Sequence, residues 1–341
     1  MGRRTLLCLA LTLLAAVSCA AKDFSYSPYA GEPDAWFAGP EGRRIANTLV
    51  YYQLPHGGWS KGIDMTAGLP DPDQPKSVYS KGEGTFDNNA TTSQMRFLAR
   101  AYRATGDPRY RKAFLDAVDY VLQAQHPSGG WPQVYPLAGG YHDCATYNDN
   151  AMIHVMELIN DIMRGPGFEW VDAARRRRLG PAFERGLGYI LKSQIEVNGR
   201  LTAWCQQHDP VTYEPRPART YEHASLVSSE SAGILAFLIG LRHKTPAIGR
   251  AIEAGTAWLR EVAIEGYRRD TVDGNQSLVP DPEARVWARF YEIGTNRPIF
   301  SDRDGVIKYS IEEIGSERRN GYSWYTSGPE KVFRLLEEEN E

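Results

Sequence analysis

Cysteine is scarce: four residues in 341, of which Cys8 and Cys19 fall in the first twenty. The remaining two, Cys144 and Cys205, are too few for a disulfide framework and stand in no CxxC arrangement, which excludes a thiolate metal site. They are read either as one disulfide or as two partly buried thiols. Excess charge of one sign is also missing. A formal net charge of −3, more acidic still once Arg3 and Arg4 are set aside, supplies no basic field for nucleic acid. After the first stretch, no run approaches the ~20 apolar residues that a membrane span needs. Sustained period-two alternation is rare, which argues against an all-β fold. What is present is a 42% hydrophobic composition, enough to bury a full core in one large domain or two.

The opening MGRRTLLCLALTLLAAVSCAA has a basic tip, an apolar run from Leu6 to Val17 and small residues from Ser18 to Ala21. That order is the signature of a secretory signal peptide, so residues 1–21 are assigned as a leader and export is expected, to the periplasm or the medium. Cleavage after Ala20 or Ala21 gives a soluble product, whereas cleavage before Cys19 gives a lipid-anchored one. Ala16 fits a lipoprotein box poorly.

A weak internal repeat organises the rest. YYQLPHGGW ends at Trp59, LQAQHPSGGW at Trp131 and LKSQIEVNGRLTAW at Trp204, so the tryptophans lie 72 and 73 residues apart. Each follows a helix-like segment that ends in Gln and a turn. Phe114, Leu115, Val118, Val121 and Leu122 recur at helical spacing, as do Met152, Val155, Met156, Ile159 and Met163, and Phe183, Leu187, Ile190 and Leu191. Ser228–Leu241 and Ile248–Ile264 add further helix. A single hairpin of this kind cannot bury its apolar face alone, so the expected fold is mainly α, with repeated helical hairpins closing into an α/α toroid. Long polar loops at the helix ends then build a cleft. The tryptophans are read as loop anchors in preference to sugar platforms. A helical solenoid that only binds protein is the bland alternative.

Its loops would not need the arginine inventory seen here. RVWARFYEIGTNRPIFSDRDG carries Arg285, Arg289, Arg297 and Arg303 in about twenty residues without an amphipathic stripe to accommodate them. PRPARTYE places Arg216 and Arg219 beside Tyr221 and Glu222. Two acid–amide pairs, Asp87-Asn88 in TFDNNATT and Asn148-Asp149 in YNDNAM, offer hard oxygen ligands. Guanidinium forks suit carboxylates and oxygen ligands suit a cation such as Ca²⁺, so together they describe a site for a polyanionic sugar. Taken alone, Asp87 and Asn88 at the start of the helix carrying Met95 and Leu98 read equally as an N-cap. His208 and His223 are acid–base candidates without an obvious partner.

In this combination, from GGWSKGID at Gly57 to RRNGYSWY ending at Tyr325, the sequence resembles the family 10 polysaccharide lyases, pectate lyases with an α/α toroid fold. The resemblance implies one catalytic domain over residues 22–341, acting on de-esterified polygalacturonate with Ca²⁺ as cofactor. It implies that Arg219 is the catalytic base, with Arg216 as the internal alternative in a proline-stiffened loop. Asp87, Asn88, Arg216, Tyr221, Glu222, Arg289 and Arg303 are expected to meet substrate, and Asp87, Asn88 and Asp149 to hold the metal. Tyr221 and Tyr291 are read as sugar-packing or core residues alike. A monomer is expected.

Breaking a 4-linked galacturonan by β-elimination removes the proton at C5, beside the C6 carboxylate, and expels the oxygen at C4. Arginine and Ca²⁺ at that carboxylate stabilise the developing charge more than the ground state. A neutral guanidine base requires crowding by other cations, Arg289 and Arg303 among them, because arginine normally stays protonated. Binding of the carboxylate by Arg219 while hydroxide takes the proton is the other possibility. Two further readings stay open: a glycoside hydrolase of the α/α toroid class using carboxylates among Asp209, Glu222 and Glu230, and a lipoprotein that binds uronate chains without cleaving them.

Overall fold

The computed structural model describes residues 23–69 and 82–340. The leader, and with it the choice of cleavage at Cys19, lies outside them. Among the described residues no helix is long and apolar enough to cross a membrane.

Among the described residues ten α-helices carry the fold: α1 Asp34–Ala38, α2 Pro40–Tyr52, α3 Thr92–Thr105, α4 Pro108–Ala124, α5 Ala151–Arg164, α6 Ala173–Lys192, α7 Ser228–Ile239, α8 Pro246–Glu261, α9 Ser316–Asn320 and α10 Glu330–Asn340. Helices α2, α4, α6 and α8 pack side by side in one layer; α3, α5, α7 and α10 form the other. This is the double-layered α/α toroid that the repeat predicts. The apolar stripe of α5 buries Met152, Val155, Met156 and Ile159 as its spacing demands. Helix α7 is apolar all round because α5, α8 and α10 enclose it.

The tryptophan repeat has a structural cause. Trp59, Trp131 and Trp204 are fully buried, and each indole Nε1 donates to a carbonyl of the preceding helix: Leu49, Val121 and Ile190, all at 2.8 Å. The glutamines stitch one repeat to the next. Nε2 of Gln53 donates to Gly57 O and, across the layer, to Ala113 O at 2.7 Å; Gln125 does the same to Gly129 O and Ala182 O, and Gln194 to Thr202 O and Ala251 O. These amide N–H groups fix the helix ends by pairing carbonyls that would each cost ~1–3 kcal/mol if buried unpaired. Gly57 and Gly129 have φ of +98° and +115°, and a Cβ at Gly129 would lie 2.1 Å from Arg185 O, so these turns admit glycine only. The tryptophans are anchors, as expected.

A fourth unit was not visible in the spacing. Trp287 donates to Leu259 O of α8 at 2.7 Å, in the manner of the other three. Between them an antiparallel hairpin is inserted, strands Ile264–Val272 and Asn275–Ala288, turning at Asp273-Gly274, both at positive φ. That turn chemistry is of the type I′ class. The helix expected to reach Ile264 therefore ends at Glu261 and the chain leaves as strand. Cys144 and Cys205 are free, which settles the cysteine alternatives for thiols.

In every unit the segment just before the inner helix pairs back onto the tryptophan. Thr85, Thr146 and Val227 donate their N–H to the carbonyls of Trp59, Trp131 and Trp204, and Thr326 pairs with Trp287. The helix starts are thus held on one rim, and the loops between supply the remaining side chains.

Candidate active site

The segments Thr85–Ala90 and Thr146–Ala151 form equivalent short 3₁₀ turns ahead of α3 and α5. Asn88, Asn89, Asp149 and Asn150 all take left-handed φ between 50° and 61°, a conformation that short polar side chains tolerate best. The match places Asp87 opposite Asn148 and Asn88 opposite Asp149: the first of each pair is buried, the second exposed. Asp87 does not cap α3. Its carboxylate is paired with Lys61 and accepts from Asn148 Nδ2 at 3.3 Å, and its own N–H donates to Thr85 Oγ1. The N-cap reading of Asp87 is corrected accordingly.

Asn148 is the hub. Its Nδ2 also donates to Asp149 Oδ2 at 2.8 Å, while its Oδ1 accepts from Gln206 Nε2 at 2.9 Å and Arg289 Nη2 at 3.5 Å. Gln206 and Arg289 both reach Glu230, in the first turn of α7, at 3.0 and 2.6 Å. Three helix starts are thereby wired together through buried polar groups, with Arg289 Nε left unpartnered. The Asp149 carboxyl is raised above the ordinary carboxylate range, first by the desolvating cleft walls and then by the nearby charges of Glu230 and Asp87.

Beside this network lies a ring of arginines. Tyr221 and Tyr322 meet edge to face, centroids 5.4 Å apart. Arg219 lies 5.0 Å from the Tyr221 centroid, Arg318 4.6 Å and Arg303 5.9 Å, while Arg289 sits 4.8 Å from that of Tyr322. Arg219 closes a bidentate fork on Glu222 through Nε, at 2.7 Å, and Nη2. Tyr322 Oη donates to the same carboxylate at 2.7 Å. Burial would raise the Glu222 carboxyl, but the Arg219 and Tyr322 donors outweigh it and hold it below the usual range. Arg219 in turn is pushed up, chiefly by its hydrogen bonds to Glu222. The expectation that neighbouring cations depress Arg219 is therefore reversed by this partner. Arg289 joins the two clusters, its Nη2 reaching Asn148 and Glu230 while its guanidinium lies over the Tyr322 ring, so they share one cleft.

Residues 53–333 match the pectic acid lyase family. The chain belongs to the family 10 polysaccharide lyases. It is similar to the solved family 10 polysaccharide lyase from Cellvibrio cellulosa, with 36% identity and a TM-score of 0.80 over 89% of this chain and 94% of that one. A mutant of that enzyme, solved in complex with trigalacturonic acid, matches equally well, with a TM-score of 0.81. No curated protein matches the chain.

The structure of this family 10 lyase brings together Asp87, Asn88, Asp149, Tyr221, Glu222, Arg219, Arg289 and Arg303 at one cleft, and sends the other candidates elsewhere. Arg216 pairs with Asp209 at 2.9 Å on an exposed two-residue strand, the loop-holding role. Arg285 pairs with Glu330 and packs on Phe333; Arg297 stacks 3.6 Å from the Tyr309 centroid. Arg303 pairs with Glu317, at 3.0 Å. Tyr291 is core, donating to Val262 O. His208 is buried, its Nδ1 bound to Tyr213 O and its Nε2 accepting from Cys205 N, and burial drives its pKa down to about 4. It is a neutral structural ring. His223 is likewise lowered by burial.

Sequence reasoning missed the roles of Lys61, Asn148, Gln206, Arg318 and Tyr322. The last two stand in RRNGYSWY, within the span of the resemblance. Among the described residues no three carboxylate, thiol or imidazole groups converge as a ready metal cage. The donor set nevertheless suits a hard cation in part: Asp149 is exposed with its charge destabilised by Asp87 and Glu230, and Asn88 donates Nδ2 to Asp23 at 2.8 Å, leaving its carbonyl free to face a cation.

Proposed function

We propose that the chain is a pectate lyase that cleaves α-1,4-linked polygalacturonate by β-elimination and leaves a 4,5-unsaturated residue at the new non-reducing end. One observation carries the reading: Arg219, Arg289, Arg303 and Arg318 gather on the Tyr221–Tyr322 pair beside the exposed Asp149. Planar forks around aromatic faces suit a sugar chain with a carboxylate on every unit. The relative complexed with trigalacturonic acid supports the same substrate. The signal-peptide pattern of residues 1–21 supports export, which would bring the enzyme to extracellular pectin.

In the mechanism proposed, Arg289 and Arg303 hold uronate carboxylates and set the register of the chain. Glu222, itself held by the Tyr322 hydroxyl, fixes the plane of the Arg219 guanidinium by accepting from Nε and Nη2, and among the described residues Nη1 makes no hydrogen bond. Arg219, in its neutral form, takes the C5 proton. The electrons of the C5–H bond form the C4–C5 double bond, the C4–O bond breaks, and the departing oxygen takes a proton from water. Bound by Asp87, Asn88 and Asp149, Ca²⁺ would neutralise the charge that grows on the C6 carboxylate.

Against glycoside hydrolysis stands the state of its candidates. Glu222 and Glu230 are each closed on an arginine, and the acidified Glu222 is a poor proton donor to a leaving group. The test compares polygalacturonate with highly methyl-esterified pectin. Esterification removes the charge that the arginines recognise, so the pectin is turned over at least ~10-fold more slowly. Equal rates on the two polymers overturn the site described.

A further inference from the structure

Two cavities flank Ser323, one of about 740 Å³ and one of about 420 Å³, and both are lined by Arg269 and Arg289. These volumes fall in the range of small-molecule sites. Arg289 belongs to the cleft already described. Arg269 belongs to the inserted hairpin, in register opposite Leu278.

Four arginines line these cavities, and three have a carboxylate partner within the protein. Arg268 pairs with Asp270 at 2.7 Å, Arg285 with Glu330, and Arg289 with Glu230. Arg269 is exposed, and among the described residues its guanidinium has neither an ion pair nor a hydrogen bond. The hairpin that carries it is fixed to the segment that carries Tyr322. Gln276 Nε2 donates to Tyr322 O at 2.9 Å and to Arg319 O at 3.1 Å; its Oε1 accepts from the N–H groups of Trp324 and Tyr325, and its own N–H donates to Asn320 Oδ1 at 2.8 Å. A free guanidinium is thus held at a set place relative to Arg289, along the wall of a polar groove that leads away from the reacting centre.

We propose that the hairpin is a distal subsite, in which Arg269 binds the carboxylate of a galacturonate unit beyond those held at Arg219, Arg289 and Arg303. The proposal rests on the pectate lyase reading above and adds a chain-length preference to it. Long chains gain a contact that short oligomers cannot reach.

The experiment uses the full chain, wild type and Arg269→Ala, with trigalacturonate and polygalacturonate as substrates. Arg269→Ala loses about five- to tenfold in kcat/KM on polygalacturonate through KM, the scale of one charge-assisted hydrogen bond, and distinctly less on the trimer. Arg269→Lys recovers part of the loss, and the loss shrinks at high ionic strength as an exposed charge contact must. Arg268→Ala keeps the wild-type ratio of the two substrates. An unchanged ratio in Arg269→Ala, or an equal loss in Arg268→Ala, overturns the subsite. Retardation in gels containing polygalacturonate is measured on the same proteins: a wild type that forms no unsaturated product refutes the lyase reading, while the loss of retardation in Arg269→Ala still decides the subsite.

Discussion

Arg219 and Glu222 are joined by two parallel hydrogen bonds, three residues apart in the chain, with the Tyr322 hydroxyl on the same carboxylate. The pair orients the guanidinium that we assign as the base and at the same time holds it charged. Position is gained and basicity in the free enzyme is lost, so the neutral form is a small fraction at neutral pH.

That conflict sets the pH dependence. With Arg219 as the proposed base, catalysis needs its neutral form, and its pKa is raised by the Glu222 hydrogen bonds. Below a raised pKa the neutral fraction grows about tenfold per pH unit, so kcat/KM climbs from about pH 7 to pH 10 without a plateau. A pH–rate profile levelling off near neutrality contradicts the assignment and points to a group of ordinary pKa.

Arg216 and Arg219 separate under the same substitution. Lysine keeps the charge but not the planar fork, so Arg219→Lys loses ~10²–10⁴-fold in kcat with a smaller change in KM. Arg216, paired with Asp209 in its exposed loop, tolerates the change within about threefold, since exposed ion pairs contribute little. Steady-state kinetics with circular dichroism on both variants checks this. Near-normal kcat in Arg219→Lys with a dead Arg216→Lys moves the base to Arg216; if hydroxide is the base, both variants remain active.

Asp149 trades stability for function. A carboxyl raised by burial, Glu230 and Asp87 imposes a cost that is absent below its unfolded pKa and is present once the pH exceeds its folded value. At neutral pH Asp149→Asn therefore raises Tm, while cation binding is lost. Added Ca²⁺ raises the Tm of the wild type by mass action and leaves that of the variant unmoved, with Mg²⁺ a weak substitute. A lower Tm in the variant, or a surviving Ca²⁺ shift, refutes the role given to Asp149.

The three legible tryptophans were readable because their repeats contain no insertion; Trp287 was hidden by the hairpin before it. Asp273-Gly274 was a turn signal in plain view, yet the strands on either side, charged at Arg268, Arg269, Asp270 and Glu283 and open to solvent, showed little apolar alternation. The cleft residues were legible as types. Which member of each acid–amide pair turns inward was not, because the equivalent left-handed residues Asn88 and Asp149 turn the second member outward in both repeats, so the swapped order of acid and amide exchanges their roles. The partners of Arg219 and Arg289 were equally out of reach. Glu222 is near Arg219 in sequence, but Glu230 and Tyr322 arrive from other loops only when the rim is assembled.

The most direct test of the central claim is the chemistry of the new chain end. Purified wild-type protein is incubated with polygalacturonate and Ca²⁺, and the oligomers are followed by ultraviolet absorbance and mass spectrometry. Elimination gives products that absorb through the conjugated C4–C5 double bond and are lighter by one water than the hydrolytic oligomers, with Arg219→Lys producing almost none. Saturated oligomers in their place, or binding of the polymer without any cleavage, would contradict the account.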